Sequence, residues 1–245
     1  MRYYPPRYLF RRYELLKKVT GGDHFLEIGP GRLMLSEELL RYFRRGILID
    51  FSLGSRAFFA TLGKADRDRL NLVIADFMEY TFETSYDAVI ACEVLEHMGD
   101  ESAFLEKIRG LLNPGGQLIL SVPARKKFWS DHDEIAGHFR RYERQEITDL
   151  LSRQNFKRID IVAYGYPFIN ALRMARIILA KWQYEKKIGW SKERKTKESG
   201  TGQTGLLARL SGLLINPVTV YPLCLISSLF NGRDRSEGYL VISEK

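Results

Sequence analysis

The chain has 245 residues, of which 45% are hydrophobic, and a formal net charge of +8. A chain of this size can bury one large core, so a single α/β domain is expected. Its two cysteines, Cys92 and Cys224, lie in apolar runs without metal-ligand spacing, which excludes a disulfide framework and favours reduced thiols in a cytoplasmic protein. The first 16 residues carry four arginines and no continuous apolar core, which argues against a secretory signal.

The predicted elements begin with a helix over residues 8–19 and continue with a short apolar strand that ends in a glycine turn. Residues 25–31 have the sequence Phe-Leu-Glu-Ile-Gly-Pro-Gly, and a helix-like stretch follows them. Gly29 and Gly31 allow a tight turn and a close approach of the backbone to a ligand at the carboxyl end of the strand. The pyrophosphate of a dinucleotide favours a third glycine, and Met34 stands at that position. The pattern therefore predicts a nucleotide-like ligand other than NAD or FAD.

Three further apolar strands end in acidic residues at matching intervals. The second ends in Asp50, at the spacing where a carboxylate can accept bonds from ribose hydroxyls. After the third, Asp76 can accept from an adenine amino group and Phe77 offers an apolar face to the ring. The fourth covers residues 86–96 and is followed by His97. Three acids in register after buried strands indicate one ligand site.

These motifs resemble those of the class I S-adenosylmethionine-dependent methyltransferases, in particular the small-molecule group similar to methyltransferase type 11. The resemblance covers residues 20–163 and the tail, and it includes Leu-Leu-Asn-Pro-Gly-Gly at 111–116 before an apolar run. It implies S-adenosylmethionine as the cofactor. Leu33 stands where the family often has a third glycine. The residues that the resemblance places at the cofactor are Glu27, Gly29 and Gly31 at the methionine ammonium group, Asp50 at the ribose, Asp76 and Phe77 at the adenine, and Phe51 and Cys92 beside them.

The resemblance also implies the fold: a Rossmann-like, doubly wound, seven-stranded sheet whose last strand, residues 238–243, is inserted antiparallel. The expected organisation is an N-terminal cap at 1–20, a cofactor-binding core at 21–163, a helical insertion at 164–237 and the final strand of the core at 238–245. Within the core, a helix is predicted over residues 145–154 and a strand over residues 157–162.

The net charge raises the question of a nucleic acid partner. Nucleic-acid amino-methylating enzymes of this class place an Asn or Asp with two prolines and an aromatic residue after the fourth strand, and here the sequence is Ala-Cys-Glu-Val. Cys92 also lacks the neighbouring proline of the cytosine-modifying enzymes. We therefore expect no nucleic acid substrate.

The loop at 129–142 follows the fifth strand and is rich in titratable side chains. Loops at the carboxyl ends of the strands form the ligand crevice in doubly wound sheets, so this loop should line the acceptor pocket. A histidine suits removal of a proton from a hydroxyl acceptor, and the candidates in order are His138, His132 and His97, the last also as a residue that positions its loop. The substrate-binding candidates are Asp133, Arg140, Arg141 and Tyr142.

No metal is assigned to this loop, although Asp131, Asp133 and Glu134 offer the oxygen ligands that a hard cation prefers. That arrangement is kept as the alternative to a histidine base.

About 75 residues separate the sixth strand from the last, where a short return would suffice. They contain an apolar stretch at 164–182, a basic stretch at 186–197, a Gly/Thr/Ser linker at 199–205 and a strongly apolar stretch at 206–230. Pro217 and Pro222 divide the last stretch, which predicts two short helices and no transmembrane span. Three roles stay open: a lid over the active site, a basic amphipathic surface on anionic membrane, and a homodimer interface.

The sequence therefore predicts a methyltransferase that acts on a small or lipid-like acceptor at a hydroxyl. It would be cytoplasmic, with peripheral contact at the inner face of the membrane. The alternative is a catalytically inactive cofactor-binding interaction protein of the same fold at a membrane surface. The dense titratable loop favours catalysis, and an NAD-dependent reductase is disfavoured by Met34.

Overall fold

The computed structural model describes residues 4–174, 177–178 and 215–245. Seven strands form one sheet in the order β3-β2-β1-β4-β5-β7-β6. The strands are β1 Gly22–Ile28, β2 Phe43–Asp50, β3 Leu70–Ile74, β4 Tyr86–Cys92, β5 Leu112–Pro123, β6 Lys157–Ala163 and β7 Gly238–Glu244. β1 to β5 pair in parallel, whereas β7 runs antiparallel to both β5 and β6. The sheet confirms the predicted fold, including the antiparallel last strand.

Helices cover both faces of this sheet. They are α1 Pro6–Leu16, α2 Met34–Leu39, α3 Ser55–Ala60, α4 Lys64–Arg67, α5 Glu101–Leu111, α6 Asp131–Ala136, α7 Arg144–Arg153, α8 Phe168–Ala171 and α9 Pro217–Ser228. Short 3-10 turns lie at Leu95–His97 and Lys126–Phe128. The predicted helices at 8–19 and 145–154 correspond to α1 and α7.

The strands are apolar without a two-residue alternation because both faces of the sheet are buried. On one face, α5 and α7 pack against the sheet through residues such as Phe104, Ile108 and Leu151. On the other face, α1, α2 and α9 contribute residues such as Phe10 and Leu39. This arrangement leaves the carboxyl ends of the parallel strands at one edge, where the β1–α2, β2–α3, β4–α5 and β5–α6 connections meet.

Of the segment 164–237, the structure describes α8, α9 and their flanking residues. Asn216 caps α9 by accepting bonds from the backbone nitrogens of Val218 (2.9 Å) and Thr219 (3.1 Å). The basic stretch at 186–197, the linker at 199–205 and the first half of the predicted apolar helix pair lie outside the described residues. In the described ranges, every helix is too short or too polar to cross a bilayer.

Candidate active site

The loop between β1 and α2 brings backbone close to the end of β4. Gly29 and Gly31 adopt φ values of +68° and +54°, and the non-glycine residue Leu33 adopts +58°. A Cβ atom on Gly29 would lie 2.9 Å from Cγ2 of Val94, closer than side-chain packing allows. Gly29 is therefore required by both conformation and space, as the sequence motif predicted.

Asp50 ties the end of β2 to this loop. Its Oδ2 accepts a hydrogen bond from the backbone nitrogen of Gly31 at 3.0 Å, and its Oδ1 accepts from the nitrogen of Ser52 at 2.8 Å. The hydroxyl of Ser55 also donates to Oδ2. Among the described residues Oδ1 accepts this one hydrogen bond from Ser52, and it thus retains acceptor capacity for a ligand hydroxyl. The position fits the role at the ribose that the sequence predicted.

Glu27 lies on β1 beside the same loop and is 4% exposed. The hydroxyl of Ser36 donates to its Oε2 at 2.6 Å. Burial raises the pKa of Glu27 to about 7, and the Ser36 bond opposes this shift. A ligand ammonium group at Glu27 would favour the charged carboxylate.

The remaining predicted cofactor residues occupy different environments around the strand ends. Asp76 is partly exposed and accepts from the backbone nitrogen of Met78 at 2.7 Å. Phe77 is buried in the core. The centroid of its ring lies 5.7 Å from that of Phe82 and 5.2 Å from that of Phe104.

At the ends of β2 and β4, the other two predicted cofactor residues differ in exposure. Phe51 is 43% exposed, so an apolar face is open to a ligand. Burial raises the pKa of Cys92 to about 11, which keeps it a thiol.

Glu93 follows β4 with a φ of +60° and faces the N-terminal helix. Its Oε2 lies 2.9 Å from Nη2 of Arg7, its Oε1 lies 3.7 Å from Nη1 of Arg11, and the hydroxyl of Ser121 donates to Oε1 at 2.8 Å. Burial would raise the pKa of Glu93, but the two guanidinium groups outweigh it and lower the pKa to about 2. The sequence did not single out these three charged residues. The signal was present as arginines one helical turn apart on α1.

A buried ion-pair network organises the loop after β5. Oδ1 of Asp133 lies 3.0 Å from Nδ1 of His138 and accepts from Nε of Arg141 at 2.9 Å, while Oδ2 accepts from Nη2 of Arg141 at 3.0 Å. The third guanidinium nitrogen, Nη1, donates to the carbonyl of Ala124 at 3.1 Å. Burial would raise the pKa of Asp133, but its bonds to His138 and Arg141 hold it well below its usual range. Asp133 and Arg141 thus orient His138.

Glu96, on the turn after β4, lies beside this network. It is fully buried, and neither carboxylate oxygen has a hydrogen-bond partner among the described residues. Its nearest cation-forming atom is Nε2 of His138, 3.8 Å from Oε1. Burial, and next to it the charge of Glu93, raise the pKa of Glu96 well above its usual value.

His97 completes the cluster. Its ring centroid lies 4.9 Å from that of His138, and its Nδ1 lies 3.3 Å from the carbonyl of Gly137. Burial, and then His138, lower the pKa of His97 to about 4, so it is neutral at physiological pH. The potential ligand atoms of Glu96, His97 and His138 all lie within 4.8 Å of one another, a geometry that could hold a metal ion. In the alternative trio of acids, by contrast, Asp133 is committed to Arg141 and His138.

The other predicted acceptor-side residues spread over the neighbouring surface. His132 lines an open pocket with Arg7, Ser130, Arg141, Arg173, Ile177 and Glu237. Arg140 pairs with Glu101 instead. Tyr142 is buried, and its backbone bonds to Pro123 and Arg125 at the end of β5. The structure brings together His97, His138, Asp133 and Arg141, and it places His132 at the pocket.

The sequence is similar to known methyltransferases. Residues 26–120 match the family model of a methyltransferase domain. A probable S-adenosylmethionine-dependent methyltransferase of Mycolicibacterium smegmatis is 27% identical over 157 residues, covering 61% of this chain and 60% of that protein. A ubiquinone biosynthesis O-methyltransferase of Bradyrhizobium diazoefficiens is 33% identical over 107 residues, covering 42% of this chain and 40% of that protein.

A solved structure shares the fold. The phosphoethanolamine N-methyltransferase 2 of Haemonchus contortus, in complex with S-adenosyl-L-methionine, has a TM-score of 0.56 at 16% identity, covering 99% of this chain and 57% of that chain. The fold is that of the class I S-adenosylmethionine-dependent methyltransferases, and residues 26–120 match a methyltransferase domain, so the core resembles this class and the findings support S-adenosylmethionine as the cofactor. The part of this chain that matches the Mycolicibacterium smegmatis protein spans about 60% of the length of that protein.

Proposed function

We propose that this protein transfers the methyl group of S-adenosylmethionine to a hydroxyl of a small or lipid-like acceptor. The observation that carries the proposal is the arrangement of His138, whose Nδ1 lies 3.0 Å from Asp133. When Nδ1–H of His138 donates to the Asp133 carboxylate, the lone pair of Nε2 is directed toward the cluster at the ends of β4 and β5. A histidine oriented in this way suits removal of a hydroxyl proton.

The cofactor residues proposed from the sequence fit the geometry of the strand ends. The φ values of Gly29 and Gly31 shape a loop that a ligand can approach closely, Glu27 lies on the strand before this loop, and Asp50 bonds to the backbone of Gly31 within it. Phe51, Asp76, Phe77 and Cys92 complete the proposed cofactor set. When bound, the cofactor supplies a sulfonium-activated methyl group, so the protein mainly aligns the acceptor and excludes water.

Removal of the acceptor proton would create a charge that the surrounding residues can balance. A protonated His138 would face the carboxylate of Asp133 directly. Arg141 holds that carboxylate through two hydrogen bonds, so the dyad keeps its geometry while the proton moves. His132, Arg140 and Tyr142 stay proposed acceptor-side contacts, with His132 best placed because it lines the pocket.

Oxygen is favoured over nitrogen as the acceptor atom. A neutral amine can attack a methyl group without prior loss of a proton, whereas a hydroxyl becomes a better nucleophile as a base takes its proton. The relative named as a ubiquinone biosynthesis O-methyltransferase supports this choice.

The lipid-like character of the acceptor is supported by α9. This helix has large exposed apolar side chains, and it packs against α1. On α1, Arg7 and Arg11 form ion pairs with Glu93. The exposed residues on or next to α9 are Val218, Tyr221, Leu223, Leu225, Ile226 and Leu229. Such a surface suits contact with an apolar acceptor or a membrane surface.

The test is detection of the product. Purified protein and isotopically labelled S-adenosylmethionine are incubated with the lipid and aqueous fractions of a cell extract, and methylated products are identified by mass spectrometry. We expect an O-methylated product from the lipid fraction. A product methylated on nitrogen, or one confined to the aqueous fraction, would contradict the corresponding part of the proposal.

A further inference from the structure

Two separate segments bring three metal-ligating side chains together. Glu96 and His97 lie on the 3-10 turn Leu95–His97 after β4, and His138 follows Gly137, the C-cap residue of α6. The segments are joined by a hydrogen bond of 2.9 Å from the backbone nitrogen of Phe139 to the carbonyl of Glu96. One ligand atom from each of the three side chains lies within 4.8 Å of the others.

The second observation is the burial of the Glu96 carboxylate. A fully buried carboxylate is costly unless it is hydrogen-bonded or paired with a cation. Both oxygens of Glu96 are buried and have no hydrogen-bond partner among the described residues. Arg7 and Arg11 do not neutralise Glu96, because both form ion pairs with Glu93. A cation between Glu96 and the two histidines would satisfy these oxygens.

The surroundings of His138 match those of a metal-ligating histidine. Such a ligand commonly donates its other ring N–H to a carboxylate, which fixes the ring and its tautomer. Asp133 occupies that position at 3.0 Å from Nδ1 and is itself held by Arg141. The lone pair of Nε2 then faces Glu96, at 3.8 Å from Oε1.

We propose that Glu96, His97 and His138 bind a divalent cation, with Asp133 as the positioning residue for His138. Two imidazole nitrogens and one carboxylate oxygen suit Mn²⁺, Fe²⁺, Co²⁺ or Zn²⁺ better than a calcium site built of oxygen ligands alone. Three protein ligands leave coordination positions open for an oxygen of the acceptor.

The role toward the acceptor rests on the proposed methylation of a hydroxyl, but it assigns the activation of that hydroxyl to the cation and not to His138 as a base. With the cation bound, Nε2 of His138 is a ligand, and the cation lowers the pKa of the coordinated hydroxyl in its place. The O–H bond breaks and its proton passes to water, the oxygen forms a bond to the methyl carbon, and the bond from that carbon to sulfur breaks. The cation itself is neither oxidised nor reduced.

Cation binding is measured directly on the full chain. Protein freed of metal with a chelator is titrated with Co²⁺ and followed by the visible absorption of the bound ion, and the titration is repeated with Mn²⁺ and Zn²⁺ by calorimetry. We expect one Co²⁺ per chain. Glu96→Gln, which keeps the side-chain shape, should weaken binding at least tenfold, and Asp133→Asn should weaken it by about 10 to 100-fold.

Glu101→Gln is the matched control, because Glu101 is a nearby acid that pairs with Arg140 outside the cluster. Its Co²⁺ affinity should equal that of the wild type. Far-ultraviolet circular dichroism and melting temperature verify that each variant is folded. Folded wild-type protein that binds no cation, or a Glu96→Gln variant that binds as well as the wild type, would overturn the proposal.

The same preparation separates this proposal from the proposed function. If S-adenosylhomocysteine binds and an O-methylated product forms without any cation, the role of the cation in the reaction fails and the methyltransferase stands. If Co²⁺ binds at the three residues but no methylated hydroxyl is found, the metal site stands and the proposed acceptor fails.

Discussion

Nη2 of Arg7 lies 2.9 Å from Oε2 of Glu93, so the N-terminal helix is joined by an ion pair to the turn after β4. Nε of Arg7 also donates to the hydroxyl of Tyr164 at 3.1 Å, after the end of β6. One guanidinium group therefore connects three distant parts of the chain next to the candidate active site. This bridging position makes Arg7 a measurable contributor to stability.

Replacing Arg7 with alanine should lower the free energy of unfolding by about 1 to 3 kcal/mol, because a partly buried carboxylate loses a charged hydrogen-bond donor. Denaturant unfolding measures the loss. Lys18→Ala is the control, since the Lys18–Asp160 pair is exposed on both sides and should be worth at most about 1 kcal/mol. Equal losses in the two variants would show that the Arg7 bridge adds nothing to the fold.

Glu93 should make stability fall in acid. Burial opposes its ionisation, but Arg7 and Arg11 lower the folded pKa to about 2, below the value of about 4.3 expected for an unfolded chain. The unfolded state therefore binds the proton first, so this stabilisation is present above about pH 4.3 and is lost as the pH falls toward 2. Melting temperatures of wild type and Glu93→Gln across this range should converge at the acid end. Parallel curves would contradict the prediction.

Asp50→Ala should weaken binding of S-adenosylhomocysteine by about 1 to 3 kcal/mol, since the variant loses a charged acceptor beside the β1–α2 loop. Calorimetry gives the affinity. Asp23→Ala removes an acid at the opposite end of β1 and should leave the affinity unchanged. An equal affinity in Asp50→Ala would move the ribose contact to another residue.

Cofactor binding should depend on the ionisation of Glu27. Burial raises its pKa to about 7 in the free protein, and an ammonium group bound beside it would lower that pKa. Below pH 7, binding must therefore expel a proton, so affinity should rise with pH up to about 7 and then level off with respect to this group. Calorimetry in buffers of different ionisation enthalpy detects the released proton. Glu27→Gln should abolish the release.

His138→Ala should slow turnover by about 100-fold or more and leave cofactor affinity nearly unchanged, because the ring acts on the acceptor. Both the base and the metal-ligand role give this result, so the variant tests the residue and the Co²⁺ titration tests the role. His132→Ala should reduce turnover less, since His132 lines the pocket but is not one of the three clustered side chains. An unaltered rate in His138→Ala would assign the acceptor proton to another group.

The sheet and the loops at its edge could be predicted because the end of each strand is marked by a few consecutive residues. Asp50 and Gly31 are recognisable from an apolar run followed by a break, and a hydrogen bond of 3.0 Å joins them in the structure. Glu96 could not be found in this way. Its significance depends on burial without a partner and on His138 from another segment, and neither property is visible in a linear pattern.

Arg141 shows the same limit from the opposite direction. Its place in a polar loop suggested a contact with the acceptor, and that assignment stays a prediction. In the structure, Arg141 is 4% exposed and donates three hydrogen bonds to Asp133 and Ala124. Sequence shows that a guanidinium group is present, whereas only packing shows how many of its donors are already used.

The antiparallel strand also sets an order for building the molecule. Among the strands of the described residues, β6 pairs only with β7, and β7 lies between β6 and β5. On the ribosome, residues 157–163 therefore stay unpaired at this edge until β7, Gly238–Glu244, has been synthesised. Strands β1 to β5 can pair as they are synthesised. Pairing of β5 and β6 with β7, which carries Tyr239 into the core, must follow the synthesis of β7. A newly made chain would thus expose an unpaired β5 edge until that moment, which is when a chaperone would find it.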